Sequence, residues 1–191
     1  MMFANINNEA NNMLNKILLS ILALNLFLLT TVSSANDELE ALSNQLNLKN
    51  ASTYSQSYIT GGQPSIGDLE KMAASNIQVI INLRGEGEFS QFNEQEKVES
   101  LGMKYISLPI SNAQDINAES IKKFHQILAE NKGNSLIHCA SGNRVGAFFT
   151  LAAFTFDNKT AEEALVIGNK TGLTRLEDHV IKMMKTTKGI Q

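Results

Sequence analysis

The sequence predicts an α/β fold with a mostly parallel central sheet flanked by helices. Three observations carry this. Ile77 to Leu83, IQVIINL, is a nearly unbroken apolar run, as expected of a strand covered on both faces. Ser135 to His138, SLIH, is a second short apolar run, soon followed by the strongly apolar, helix-forming stretch Val145 to Phe156. Strand-like and helix-like patterns alternate along the chain, which is the signature of layered α/β architecture.

The elements follow in order. Asp37 to Leu48 shows weak helical periodicity through Leu39, Leu42, Leu46 and Leu48 and reads as a leading helix or tether. Ser57 to Thr60 fits a short strand ending at Gly61-Gly62-Gln63-Pro64. Ser65 fits a helix N-cap, with Ile66, Leu69, Met72 and Ala73 on one face of the helix behind it. Glu94 to Leu101 reads as a helix, and Gly102 suits the position just past its end. Met103 to Leu108 is a further strand, closed by Pro109. Asn117 caps a helix running to about Asn131, with Ile121, Phe124, Ile127 and Leu128 inward. After SLIH and Val145 to Phe156, two more helices cover Ala161 to Ile167 and Leu173 to Lys185.

Length and composition set bounds. With 191 residues, 43% of them hydrophobic and no Trp, the chain has one globular domain with an aliphatic and Phe core. A net charge of −3 argues against a nucleic-acid surface. The start of the chain differs from the rest. Lys16 precedes a largely apolar run from Ile17 to Val32, and Ser33 and Ala35 form a small-x-small exit. That order is expected of a secretory signal, and the run is short for a membrane span. Residues 1–35 are therefore expected to be a signal peptide, with Met13 an alternative start. Residues 36–56 form the leading helix or tether, and residues 57–191 the main domain. Export to the periplasm or medium follows, with no stable membrane association after cleavage. The oligomeric state is not legible.

Cys139 is the only cysteine, so no internal disulfide can form. It sits in His138-Cys139-Ala140-Ser141-Gly142-Asn143-Arg144, where a strand ends and a helix begins. Ligands in parallel α/β sheets bind at the carboxyl ends of strands. The following helix aims unpaired N–H groups and partial positive charge at this loop. That setting favours the thiolate, which is the nucleophilic form. The amides of Ala140, Ser141, Gly142 and Asn143 can wrap an anion, and Gly142 permits the backbone angles a tight loop needs. Arg144 adds a planar fork suited to a phosphate-like group.

These residues carry a resemblance. His-Cys-x-x-Gly with a following Arg-x-Gly is similar to the signature of protein tyrosine and dual-specificity phosphatases. With Thr60-Gly61-Gly62-Gln63-Pro64-Ser65 and Val79-Ile80-Ile81-Asn82-Leu83-Arg84, the chain most resembles the bacterial beta-lactamase hydrolase-like, phosphatase-like domain. The resemblance spans about Tyr58 to Phe156. It implies a cysteine-phosphatase-like fold with the Cys loop between a core strand and a helix. It implies a metal-independent, cofactor-free phosphomonoesterase acting on a phosphorylated protein or small molecule. Cys139 would attack phosphorus, while Arg144 and the loop amides hold the phosphoryl oxygens. An Asp on a separate loop commonly protonates the leaving oxygen, which makes Asp115 the candidate acid. Its alternative role is to serve the N-terminus of the next helix. His138 orders the loop.

Two departures keep other functions open. Four residues separate Cys139 from Arg144, where most of the superfamily has five. Four is also the spacing of many rhodanese-type sulfurtransferases, which carry a persulfide. Val145 stands where a hydroxyl usually supports the thiolate, with Ser141 the available substitute; a non-catalytic anion-binding or partner-binding module fits that change. Arg84, Glu86 and Glu88 read as a solvated loop beside the pocket. His125 and His179 are isolated and form no metal pattern.

Overall fold

A computed structural model describes residues 37–188, with no account of the side chains beyond residue 186. The expected signal peptide lies outside the described residues. Contacts divide the chain into Met1–Glu38 and Leu39–Gln191, and the second unit carries the fold.

Residues 37–45 are helical (α1). Then come β1 (Ser52–Tyr54), β2 (Tyr58–Gly61), α2 (Ile66–Ala74), β3 (Val79–Arg84), α3 (Glu94–Ser100) and β4 (Lys104–Ile110). A single 3-10 turn, Ala113–Asp115, precedes α4 (Ala118–Glu130), β5 (Ser135–His138), α5 (Asn143–Phe156), α6 (Ala161–Lys170) and α7 (Glu177–Lys188). The sheet order is β1-β2-β5-β3-β4. All pairings are parallel except β1 with β2. The expected mostly parallel sheet is therefore present, as a mixed sheet with one antiparallel edge.

Strand periodicity divides the core between two faces. On β3, Val79, Ile81 and Leu83 face one apolar cluster and Ile80 the other. On β5, Ile137 and Leu136 split in the same way. The first cluster holds Phe124 of α4 and Phe148 of α5; the second holds Leu69 and Met72 of α2 and Val98 of α3. Ser65 and Asn117 form capping boxes at α2 and α4, as their positions suggested.

The leading segment is more integrated than a tether. Leu39, Leu42, Leu46 and Leu48 are buried in the second cluster, and β1 adds an edge strand before residue 57. Burying four leucines is a strong hydrophobic anchor, at roughly 1.5–3 kcal/mol for each fully buried side chain.

Candidate active site

The Cys139 loop is held by backbone bonds on one side and by glycine contacts on the other. Cys139 N–H donates to Gly61 O at 3.2 Å, and Gly62 bridges to Ser141. Asn50 Nδ2 donates to Ser141 O at 2.8 Å. Gly142 then takes φ 85°, in the left-handed region, and starts α5. At Gly146 a Cβ would stand 2.1 Å from Leu173 N, so the first turn of α5 touches the main chain after α6. Asn143 reinforces this join: its Oδ1 accepts from Thr174 N at 2.9 Å, Thr174 Oγ1 at 3.1 Å and Leu176 N at 3.3 Å. Its side chain thus serves the fold, and only its main chain remains for the loop.

Unlike α2, α4 and α6, helix α5 has no side-chain cap. Its leading N–H groups and the positive end of the helix are open to an anion. Cys139 is 1% exposed and Val145 is fully buried.

Arg144 is tied from the opposite side of the pocket. Nη1 donates to Glu88 Oε2 at 2.7 Å and to Ile110 O at 2.5 Å; Nη2 donates to Glu88 Oε1 at 2.5 Å. Of five guanidinium N–H groups, Nε–H and the second Nη2–H remain, and they form one fork. Burial pulls the Arg144 pKa down, but the Glu88 hydrogen bond, the neighbouring Cys139 and the Glu88 charge outweigh it and raise it. The influence of Cys139 on Arg144 places guanidinium and sulfur side by side. For Glu88, the Arg144 hydrogen bond is the largest influence; with Gly85 N–H and Arg84 it holds the carboxyl below its ordinary value against burial.

Beneath the loop lies a buried polar node. His138 is fully buried; Nδ1 is 3.4 Å from Cys139 O, and Nε2 stands 3.2 Å from Glu94 Oε1, off the direct hydrogen-bond axis. Glu94 accepts from Gln63 Nε2 at 2.7 Å, from Asn82 Nδ2 at 2.9 Å and from Tyr105 OH at 3.4 Å. Burial pushes its carboxyl up, but His138, Gln63 and Arg84 prevail and lower it. The node joins the β2–α2 connection, β3, α3, β4 and β5 under Cys139.

Asp115 occupies the 3-10 turn after β4. Its Oδ2 accepts from Ser111 N at 2.8 Å and Asn112 N at 3.0 Å, a capping box. None of its hydrogen bonds reaches Cys139 or Arg144, and Oδ1 carries none. The loop does start beside the site, since Ile110 O holds Arg144.

Glu94 is the participant that sequence reasoning missed; Glu88 was placed beside the pocket, but as part of a solvated loop. Arg84 and Glu88 belong to the pocket wall rather than to a solvated loop. Their place at and just past the carboxyl end of β3 was the available signal.

A family model described as "DSP-PTPase phosphatase fused to NAD+ Kinase" (PTP-NADK) matches residues 31–175. This chain belongs to that family. The chain is 35% identical over 94 residues to a beta-lactamase hydrolase-like protein of Agrobacterium fabrum, covering 47% of this chain and 22% of that protein. The curated relatives are thus much longer than the matched region; a Xylella fastidiosa relative is 26% covered. Among solved structures, a DUF442 protein of Shewanella putrefaciens aligns with TM-score 0.56 at 17% identity, covering 73% of this chain and 91% of that one. TpbA of P. aeruginosa in complex with pTyr aligns with TM-score 0.52 at 16% identity, covering 65% and 75%. The chain therefore has a cysteine-phosphatase fold, and the resemblance read from its motifs holds.

Proposed function

We propose that this chain is an exported, metal-independent phosphatase that hydrolyses phosphomonoesters through a cysteinyl-phosphate intermediate. One observation carries the reading: an uncapped helix N-terminus, a buried cysteine and an open arginine fork converge on one loop. Cys139 Sγ attacks phosphorus and the P–O bond to the leaving group breaks. Amides of Ala140 to Asn143 and the Arg144 fork hold the equatorial oxygens, so positioning and charge stabilisation supply the catalysis. Asp115, as the neutral carboxylic acid, gives its proton to the departing oxygen, and the carboxylate so formed takes a proton from the water of the second step. Water then cleaves the S–P bond and releases phosphate and the thiolate. The substrate is a phosphorylated protein or small molecule. Support for tyrosine or dual-specificity character comes from the family description and from TpbA, a fold neighbour seen with pTyr. Support for export comes from the composition of residues 16–35 alone.

The test is a paired assay of the purified chain on an aryl phosphate and on thiosulfate with cyanide, beside Cys139→Ser. Phosphate release lost in the variant, with trapping of a phosphocysteine by acid quench, is the expected result. Thiocyanate formation without phosphate release would replace this reading with a sulfurtransferase. Export is checked separately by intact mass after secretion from a bacterial host.

A further inference from the structure

The segment between α1 and β1 lies against the cysteine loop. Leu46 and Leu48 are buried in the second apolar cluster, and Ser52 opens β1 opposite Thr60. Both ends are thus fixed. Between them, Asn47 N–H donates to Asp68 Oδ1 at 2.9 Å, and Lys49 O accepts from Gly62 N–H at 2.8 Å. Gly62 is the layer between segment and loop. A Cβ there would stand 3.1 Å from Lys49 Cβ and 3.0 Å from Ala140 O, so a side chain at 62 would hold the two apart.

Asn50 makes the contact with the loop. Its Nδ2 donates to Ser141 O at 2.8 Å, across 91 residues of sequence. A Cβ on Gly142 would stand 3.7 Å from Asn50 Cβ, so Asn50 lies over the Ser141–Gly142 peptide. Asn50 itself has φ 55°, in the left-handed region. Asparagine tolerates that conformation better than most residues, but it persists only where the surroundings hold it, and such positions gather at functional sites. The bond also orients the peptide. Ser141 C=O and Gly142 N–H belong to one trans peptide and point to opposite sides. With the carbonyl drawn to Asn50, the N–H turns to the side on which the loop encloses its anion. Glycine accepts φ of either sign, so this peptide flips more easily than its neighbours. A flipped peptide would aim the carbonyl oxygen at a phosphoryl oxygen and withdraw a donor.

We infer that Asn50 is a positioning residue for the anion site, holding the Ser141–Gly142 peptide with its N–H inward and its carbonyl outward. It acts through the loop rather than on the phosphoryl group. The leading segment is then part of the site, although it precedes the cysteine by some ninety residues. The inference rests on the phosphatase reading only for the class of anion, a tetrahedral oxyanion.

The experiment separates anion binding from stability and from turnover. Asn50→Gly keeps the left-handed backbone without strain and removes the donor. Asn50→Asp keeps the shape and puts an acceptor in the donor's place. The full chain and both variants are titrated with tungstate by calorimetry, well below their melting temperatures, and assayed on an aryl phosphate. Tungstate affinity should fall about three- to tenfold in Asn50→Gly, the scale of one hydrogen bond, and at least as far in Asn50→Asp. The kcat/KM should fall with it. A residue that only braces the fold would lower the melting temperature and leave the affinity of the folded protein unchanged. That result in Asn50→Gly overturns the inference; if Asn50→Gly does not fold, the same result in Asn50→Asp does. Failure of the unmodified chain to bind tungstate overturns it as well. Tungstate binding that weakens in Asn50→Gly, in a chain that releases no phosphate, would overturn the phosphatase reading and leave this inference standing.

Discussion

Glu88 grips the outer end of the Arg144 guanidinium, with oxygens 2.7 Å from Nη1 and 2.5 Å from Nη2. Glu88 is itself fixed, because Gly85 N–H donates to its Oε2 at 2.9 Å. The pairing leaves the Nε–Nη2 fork of Arg144 for an anion. Glu88 is therefore a positioning residue, acting through Arg144. Glu88→Ala frees the guanidinium to swing, and kcat/KM should fall about 10–10²-fold, the scale of a misplaced catalytic group. Glu88→Gln keeps one acceptor and should lose less. Orthovanadate affinity, which reports on the fork without turnover, should weaken in the same order. An unchanged vanadate affinity in Glu88→Ala would remove Glu88 from this role.

The same carboxylates predict acid sensitivity. Burial raises the Glu94 pKa, but His138, Gln63 and Arg84 bring it below its ordinary value; Glu88 is lowered chiefly by its Arg144 bond. A depressed carboxyl binds protons less readily in the folded state than in the unfolded one. Its stabilisation is complete above the unfolded value of about 4.3 and is lost as pH falls through the folded value. Melting temperature should therefore fall below about pH 4.3 and stay flatter above it. Glu94→Gln should shallow that acid slope, because the group no longer titrates. A slope identical to the unmodified chain would show that the buried node does not govern acid unfolding.

Gly146 offers a test of how α5 is seated. A Cβ there would sit 2.1 Å from Leu173 N and 2.8 Å from Gly168 O, both main-chain atoms that cannot rotate away. Gly146→Ala must push α5 from the α6–α7 connection and strain the Asn143–Thr174 bonds. Overpacking of this kind costs about 1–3 kcal/mol. Chemical denaturation should show that loss, and phosphatase activity should fall with it, because the loop amides lie one turn away. A stable, fully active Gly146→Ala would show that the contact is relaxed in solution.

What was legible in the sequence was local. Covered strands announce themselves by unbroken apolar runs, so β3 and β5 were readable, and Ser65 and Asn117 declared helix starts. The cysteine loop was readable because nucleophile, glycine and arginine fall within six residues. β1 escaped because Ser52–Tyr54 is short, partly exposed and without alternation. Leu39, Leu42, Leu46 and Leu48 made the leading helix readable, but not its burial in the second cluster. The pairings of Glu88 and Glu94 escaped for another reason. Their partners Arg144 and His138 are far along the chain and meet them only because parallel strands end at one edge of the sheet. A carboxylate in a polar segment carries no local mark of such a pairing.

Asp115 divides two readings that one variant separates. In the structure its Oδ2 closes the capping box of its own turn, and Oδ1 has no hydrogen-bond partner. A general acid needs that free edge at the leaving oxygen; a capping residue needs only the bonds already made. If Asp115 is the acid, Asp115→Asn should slow phenyl phosphate, a poor leaving group, by about 10²–10⁴-fold. It should slow a nitrophenyl phosphate far less, because that oxygen departs without a proton. If Asp115 only caps, the variant keeps an amide oxygen to accept from Ser111 N and Asn112 N and treats both esters alike. The ratio of the two rate losses therefore decides: a ratio near one removes Asp115 from the chemistry, while Cys139 and Arg144 keep their roles.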